Sequence, residues 1–340
     1  MTQQSLARSA TVDAVDRRII RGLQLRPRVG FVRLGEVLGL SEQATARRYR
    51  RLVRSGVLRI FGVVNPKVVG EAAWHVRVRC RPDAAESLAN ALARRDDIVW
   101  VGIGAAGAEV LFVVRSLTAE RREALLTRTL PRTSHVLDIS AAVVLHYFTG
   151  LRADDWGGLA DHLTAEEDAA LRMPPGPRTD PRGIELLPTD VAILDALQRD
   201  GRATYADLGA AAGISPGRVA RRLGTLIERR AVTIDADIAA AAIGFPVHAY
   251  LFLRVSPSRL QEVGESLAER PEVGMAAAIS GTHNLLATLS CRSLFDVYTF
   301  TTEQIGRLDG VRDLEVGIGG RVVKQSGGLL DDGRLVLPAD

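Results

Sequence analysis

Residues 16–48, DRRIIRGLQLRPRVGFVRLGEVLGLSEQATARR, lie without a gap over residues 190–222, DVAILDALQRDGRATYADLGAAAGISPGRVARR, 174 positions further on. The identities include Asp16/Asp190, Leu23/Leu197, Gln24/Gln198, Arg28/Arg202, Leu34/Leu208, Gly35/Gly209, Gly39/Gly213, Ser41/Ser215, Arg47/Arg221 and Arg48/Arg222. The likeness continues more weakly at an offset of 175, where PDAAESLANALARRDDI is echoed by PSRLQEVGESLAERPEV. Solenoid repeats have periods of about 20–50 residues, so this is one duplication of a two-part unit. Whatever the first unit folds into, the second must approximate, because the same apolar pattern buries the same faces. At 340 residues the chain has room for two such units, each with its own core.

The first half of each unit reads as a helix-turn-helix. Ile19, Ile20, Leu23 and then Leu34, Val37, Leu38 recur at helical spacing. Gly39 breaks the pattern and Ser41 is placed to cap the next helix, whose apolar stripe is Thr45, Tyr49 and Leu52. GVLRIFGVV (56–64) follows as a strand or wing. The face opposite the stripe carries Gln43, Arg47, Arg50 and Arg54, with Arg48 and Arg51 beside it and only Glu42 against them. A solvated helix face mixes its signs. Residues 13–70 instead hold 13 Lys+Arg against 4 Asp+Glu, an excess of nine, and Arg and Gln are side chains that pair with phosphates and base edges. Double-stranded DNA is the partner this implies. Residues 187–244 have 7 basic and 7 acidic side chains, and the outward positions become Gly217, Arg221, Gly224 and Glu228. The second helix-turn-helix is therefore expected to read DNA poorly, with Arg218, Arg221 and Arg222 left for auxiliary contact.

After Gly70 the chain alternates strand, helix, strand, strand, helix, strand, the βαββαβ order of a ferredoxin-like domain. VGIGAAGAEV (101–110) has the Gly102-x-Gly104-x-x-Gly107 spacing of a dinucleotide loop, yet no helix begins at Gly107. The glycines are read as a hairpin between adjacent strands, and no nucleotide cofactor is expected. The corresponding place in the second copy is AAISGTHNLLATLS, with Gly281 alone.

Taken in order, these motifs resemble the Lrp/AsnC family of bacterial transcriptional regulators, over about 13–148 and 187–325. The resemblance implies an α+β fold: two copies of a winged helix-turn-helix (13–64 and 187–238), each followed by a ferredoxin-like domain (71–149 and 245–326). Residues 150–186 form a linker. It also implies dimerisation through the sheets, so that the fused copies supply a pseudo-dimer and chains pair further into a homo-oligomer. A small effector, such as an amino acid, is implied beside the hairpins. By position these are Gly104, Gly107 and Glu109 in the first copy, and Gly281, Thr282, His283 and Asn284 in the second. DNA contacts carried over are Ser41, Gln43, Arg47, Arg48, Arg50, Arg51, Arg54, Arg218, Arg221 and Arg222.

A rival class is a two-unit, sirohaem-type tetrapyrrole decarboxylase, in which His75, His146 and His248 would serve. A non-DNA-binding effector or scaffold protein is another. No convergent acid–base or nucleophilic group is visible in the sequence, and the expectation is a regulator that is not an enzyme. Six histidines without ligand spacing suggest no metal site, and Cys80 and Cys291 in apolar stretches suggest buried reduced thiols. With no apolar run long enough to span a bilayer and no leader-like start, a cytoplasmic protein without a membrane partner is expected. The proline-rich stretch 174–183 and the tail after Gly327 are expected to lack regular structure.

Overall fold

The computed structural model describes residues 12–65, 68, 73–115, 119–150, 152–172 and 184–336. The proline-rich stretch 174–183 and residues 1–11 lie outside them.

The first unit opens with α1 (Ala14–Leu25), α2 (Phe31–Leu38) and α3 (Glu42–Arg54), then β1 (Leu58–Val64). Local chemistry sets the ends. Asp13 and Asp16 exchange side-chain-to-backbone hydrogen bonds in a capping box at the start of α1. The left-handed Gly39 ends α2, and the Ser41 hydroxyl accepts from the Ala44 amide at 3.2 Å to start α3. The chain continues through β2 (Trp74–Cys80), α4 (Ala85–Ala93), β3 (Ile98–Gly104), β4 (Glu109–Val114), α5 (Ala119–Glu123) and β5 (Val136–Thr149). A short α6 (Ala165–Leu171) stands between the copies. The second unit repeats the order with α7 (Pro188–Arg199), α8 (Tyr205–Ala212), α9 (Pro216–Glu228), β6 (Val232–Ile238), β7 (Val247–Val255), α10 (Leu260–Ala268), β8 (Val273–Ile279), β9 (Leu285–Cys291), α11 (Leu294–Thr299) and β10 (Val311–Gln325).

The two helix-turn-helix units form one body. A single strand cannot satisfy its own amides and carbonyls. Accordingly β1 pairs antiparallel with β6 of the other copy, so the expected wing is a strand shared between copies and not a hairpin within one. In that ladder Phe61 faces Asp235, its own counterpart 174 residues on, which puts a pseudo-two-fold axis between them. Ile19, Leu23, Leu34 and Leu52 share one core with Ile193, Leu197, Leu208, Val219 and Leu226. Residues 152–172, read from sequence as linker, close this core with Trp156, Leu159, Leu163 and Leu171. Arg21 pairs with Asp168 at 3.3 Å, and Arg18 with Glu167.

The strand order in the first copy is β3-β4-β2-β5, and in the second β8-β9-β7-β10. Two junctions, β5 with β8 and β10 with β3, join the sheets at both edges, so eight antiparallel strands close into a ring without an edge. The outer face of the first half is covered by α4 and residues 119–130, around Val76, Val78, Leu92, Phe112 and Leu125. That of the second is covered by α10 and α11, around Leu251, Leu253, Val263 and Phe300. The inner faces, including Leu111, Val113, Tyr250, Phe252 and Ile279, make a separate cluster inside the ring.

The tail departs from expectation. Beyond Gly327 the chain forms β11 (Gly328–Asp331) and β12 (Arg334–Leu335), which continue the sheet from β10. Ser326-Gly327 and Asp332-Gly333 all have positive φ, the conformation of two-residue hairpin turns. The hairpin docks on the end of α3: Leu335 donates to the Gly56 carbonyl at 2.8 Å and Arg334 to that of Ser55 at 2.6 Å. Only residues 337–340 of the tail lie outside the described residues.

Candidate functional site

On α3 the packing sorts the arginines into two sets. Arg48 donates to Asp13 at 2.7 Å and to the fully buried Asp16 at 2.9 Å, and Arg51 also pairs with Asp16. These two hold α3 against the start of α1. Ser41 is the helix cap. Gln43, Arg47, Arg50 and Arg54 are exposed, and among the described residues none of the three arginines is ion-paired. On α9, Arg222 grips the buried Asp190 at 2.6 Å and the Glu185 carbonyl at 3.0 Å, as its counterpart Arg48 grips Asp16. Arg218 and Arg221 are exposed, beside the open glycines Gly217 and Gly224.

The two hairpins have different surroundings. Gly107 has φ 90°, the conformation its turn requires. Gly102 is glycine for another reason: a Cβ there would meet the Trp100 ring at 2.4 Å and the Tyr250 hydroxyl at 3.1 Å. Glu109 is buried and bonded to Arg77 at 3.0 Å, in a small side pocket with Arg79, Asp138 and Ser140. In the second copy Gly281 has φ 110° with open space around its Cα. The Asn284 side chain is spent on backbone, accepting from the Val255 amide and donating to the Val255 carbonyl, both at 2.8 Å. Gly281, Thr282 and His283 line the main cavity.

That cavity, about 1400 Å³, runs from the interior of the ring to the shared strands β1 and β6. Its walls bring together side chains from both copies at the 175-residue offset: His75 with Tyr250, Trp100 with Met275, Arg115 with Ser290, and Arg77 with Phe252. Trp100, His248 and Tyr250 form an aromatic cluster, with Tyr250 edge-on to Trp100 at 5.7 Å and to His248 at 5.4 Å. Burial pushes the imidazoles of His75 and His248 down to about 4, and the nearby Arg115 charge adds to the effect on His75. Both are therefore neutral at pH 7, each with one ring nitrogen able to accept a hydrogen bond. His146 lies outside the cavity, exposed and edge-on to Phe148 at 4.8 Å. Arg77 stacks over Phe252 at 4.2 Å while bonded to Glu109 and, from the other copy, Glu315 at 2.6 Å. Trp100, Arg115 and Tyr250 escaped the sequence reading, because each looks like one more position of a half-buried strand. Their role depends on the ring closing.

An AsnC-type helix-turn-helix domain matches residues 12–53 and 188–227, and an Lrp/AsnC ligand binding domain matches residues 248–329. An HTH-type transcriptional regulator of Pyrococcus abyssi is 28% identical over 138 residues, 40% of this chain and 87% of the relative. The regulator Ptr1 of Methanocaldococcus jannaschii is 28% identical over 128 residues, 37% of this chain and 86% of the relative. Such relatives correspond to one copy. The crystal structure of the siroheme decarboxylase NirDL is similar over both: TM-score 0.61, 14% identity, covering 92% of this chain and 93% of that one. NirDL is also known in co-complex with an iron-uroporphyrin III analogue. The expectation that this chain is not an enzyme is corrected by that finding: NirDL, an enzyme, shares this fold over both copies, while the sequence relatives are regulators. Missing local motifs were a poor guide, because the histidines and arginines of the cavity come from distant segments and meet only in the closed ring. With two AsnC-type helix-turn-helix domains, an Lrp/AsnC ligand binding domain and regulators among its relatives, the chain belongs to the Lrp/AsnC family, as a tandem member in which one unit has been duplicated.

Proposed function

We propose that the chain is a DNA-binding transcriptional regulator whose first helix-turn-helix reads the operator and whose ring cavity takes a small effector. In this reading β1 and β6 serve as the wings, and the eight-stranded ring is a fused pair of ferredoxin-like domains. The observation that carries it is the unpaired face Gln43, Arg47, Arg50 and Arg54 on α3, against the two arginines beside it that are locked onto Asp16. A helix that needed arginine only for packing would have no use for three more pointing outward. Neutralising phosphates releases counterions, so affinity for duplex DNA should fall steeply with salt. Selection of genomic fragments by the purified chain, followed by salt titration on those retained, tests this. No duplex binding at about 50 mM salt overturns it.

A second reading is supported by the likeness to NirDL over both copies and by two neutral histidines in a cavity of about 1400 Å³. Here the same cavity decarboxylates a siroheme-type tetrapyrrole, and the helix-turn-helix units are scaffolding. Incubation with siroheme under anaerobic conditions, followed by mass analysis of the macrocycle, tests it. An unchanged macrocycle rules it out.

A further inference from the structure

Among the described residues five cationic side chains line the cavity, and four are already engaged. Arg77 holds Glu109 and Glu315, Arg152 holds Asp154 at 2.7 Å, Arg321 holds Glu86 at 2.8 Å, and Lys324 donates to the Arg95 carbonyl at 2.6 Å. Arg115 is the exception. Among the described residues no carboxylate pairs with it, and its buried Nε has no hydrogen-bond partner. Its backbone is fixed at the end of β4, where its amide donates to the Asp97 carbonyl at 2.8 Å. Nothing in the fold explains why an arginine stands there.

The duplication sharpens the point. At the 175 offset the first copy brings His75, Trp100 and Arg115 to the wall, and the second brings Tyr250, Met275 and Ser290. At these three equivalent positions the first copy carries a guanidinium and the second carries no charge, with flat rings between. The volume, about 1400 Å³, exceeds what a single amino acid fills.

We propose that the cavity binds an extended, flat aromatic carboxylate, its acid group on Arg115 beside His75 and its ring system against Trp100 and Tyr250. This rests on the cavity being a ligand site, and not on which reaction or regulation follows. A guanidinium meets a carboxylate with a planar, two-pronged fork, and His75 is positioned as a neutral partner that adds no competing charge.

The test uses the full chain with 1-pyrenebutyrate and its uncharged analogue 1-pyrenebutanol, following quenching of tryptophan fluorescence. The acid should bind at least tenfold more tightly than the alcohol. Arg115→Gln should remove that preference and leave the alcohol's affinity unchanged, while Trp100→Ala should weaken both. Arg115→Lys should restore part of the preference, which guards against a folding defect in the glutamine variant. If both probes bind equally and depend on Trp100, the carboxylate assignment falls while the cavity remains a ligand site. If neither binds, or binding ignores Trp100, the cavity reading falls as well.

Discussion

Arg28 and Arg202 occupy the same position in the two copies, and each reaches into the other's loop. Arg28 donates to the carbonyls of Gly201 at 2.7 Å and Ala203 at 2.9 Å. Arg202 returns the contact to Pro27 at 2.6 Å and Val29 at 2.8 Å. Each guanidinium also covers an aromatic ring, Arg28 over Tyr205 and Arg202 over Phe31, and these rings too are 174 residues apart. The clasp is reciprocal, as an isologous dimer contact is, but it lies within one chain. Together with the β1–β6 ladder it fixes how α3 and α9 are held relative to each other.

Removing either half of the clasp should loosen the pair. Arg28→Ala and Arg202→Ala should each lower stability by about 2–3 kcal/mol, the scale of charged hydrogen bonds lost at a partly buried site. Lysine should not rescue either, because one ammonium cannot serve two carbonyls in the fork geometry. Urea denaturation of the single and double variants measures this. Variants as stable as the parent would mean that the strand ladder alone holds the units together.

The sorting of the arginines on α3 gives a sharper contrast. Arg47→Ala or Arg50→Ala should cost about 1–3 kcal/mol of operator affinity, if either meets a base, with no loss of stability. Arg48→Ala should do the reverse, lowering the melting temperature because Asp13 and buried Asp16 lose a partner. Arg221→Ala should cost less affinity than Arg47→Ala on the same operator. Equal losses at 47 and 221 would mean that both units read DNA.

The cavity histidines make stability depend on pH. Both are held near 4 in the folded chain against about 6.5 unfolded, so below 6.5 the unfolded chain takes up protons that the folded chain refuses. Their contribution is fully present above pH 6.5 and is lost as pH falls toward 4, on the order of 3 kcal/mol for each. Unfolding free energies at pH 7.5, 6 and 4.5 should show the slope, and His75→Gln combined with His248→Gln should flatten it. An unchanged slope in the double variant would place the titration elsewhere.

What was legible beforehand was local. Helix periodicity, the caps at Ser41 and Gly39, and the offset of 174 all depend on neighbours a few residues apart, so the helix-turn-helix units could be read directly. So could the turn at Gly104–Gly107. The ring depends on pairings such as Val144 with Ile279 and Gly104 with Gly319, which no local pattern announces. Arg115 therefore looked like the end of an ordinary strand, and His75 and His248, though named for a tetrapyrrole pocket, looked like packed or surface histidines of a strand. The tail was a different case. Ser326-Gly327 and Asp332-Gly333 carry the composition of hairpin turns, and the expectation of fraying rested only on the general looseness of chain ends.

The tail also ties the ring to the first helix-turn-helix unit. Arg59 on β1 is buried and pairs with buried Asp237 on β6 at 2.9 Å, and it donates to the Ser326 carbonyl at 3.1 Å, where β10 leaves the cavity wall. Burial pushes the Asp237 carboxyl above its ordinary value, and contacts from Arg59 and Gln325 offset part of that rise. Asp237→Ala would leave the guanidinium buried without its carboxylate and should cost about 3–5 kcal/mol, whereas replacing Arg59 and Asp237 together with methionine and leucine should cost much less. Arg334→Ala, which removes the donor to the Ser55 carbonyl, should cost about 1–3 kcal/mol. Hydrogen exchange should then show faster opening at 52–60 with β7–β9 unchanged, because the hydrogen bond removed is the one to Ser55 at the end of α3, while β11 stays paired with β10. Faster exchange spread through β7–β9 would show instead that the hairpin stabilises the ring, and the coupling to α3 would be lost as an explanation for why the tail is folded there.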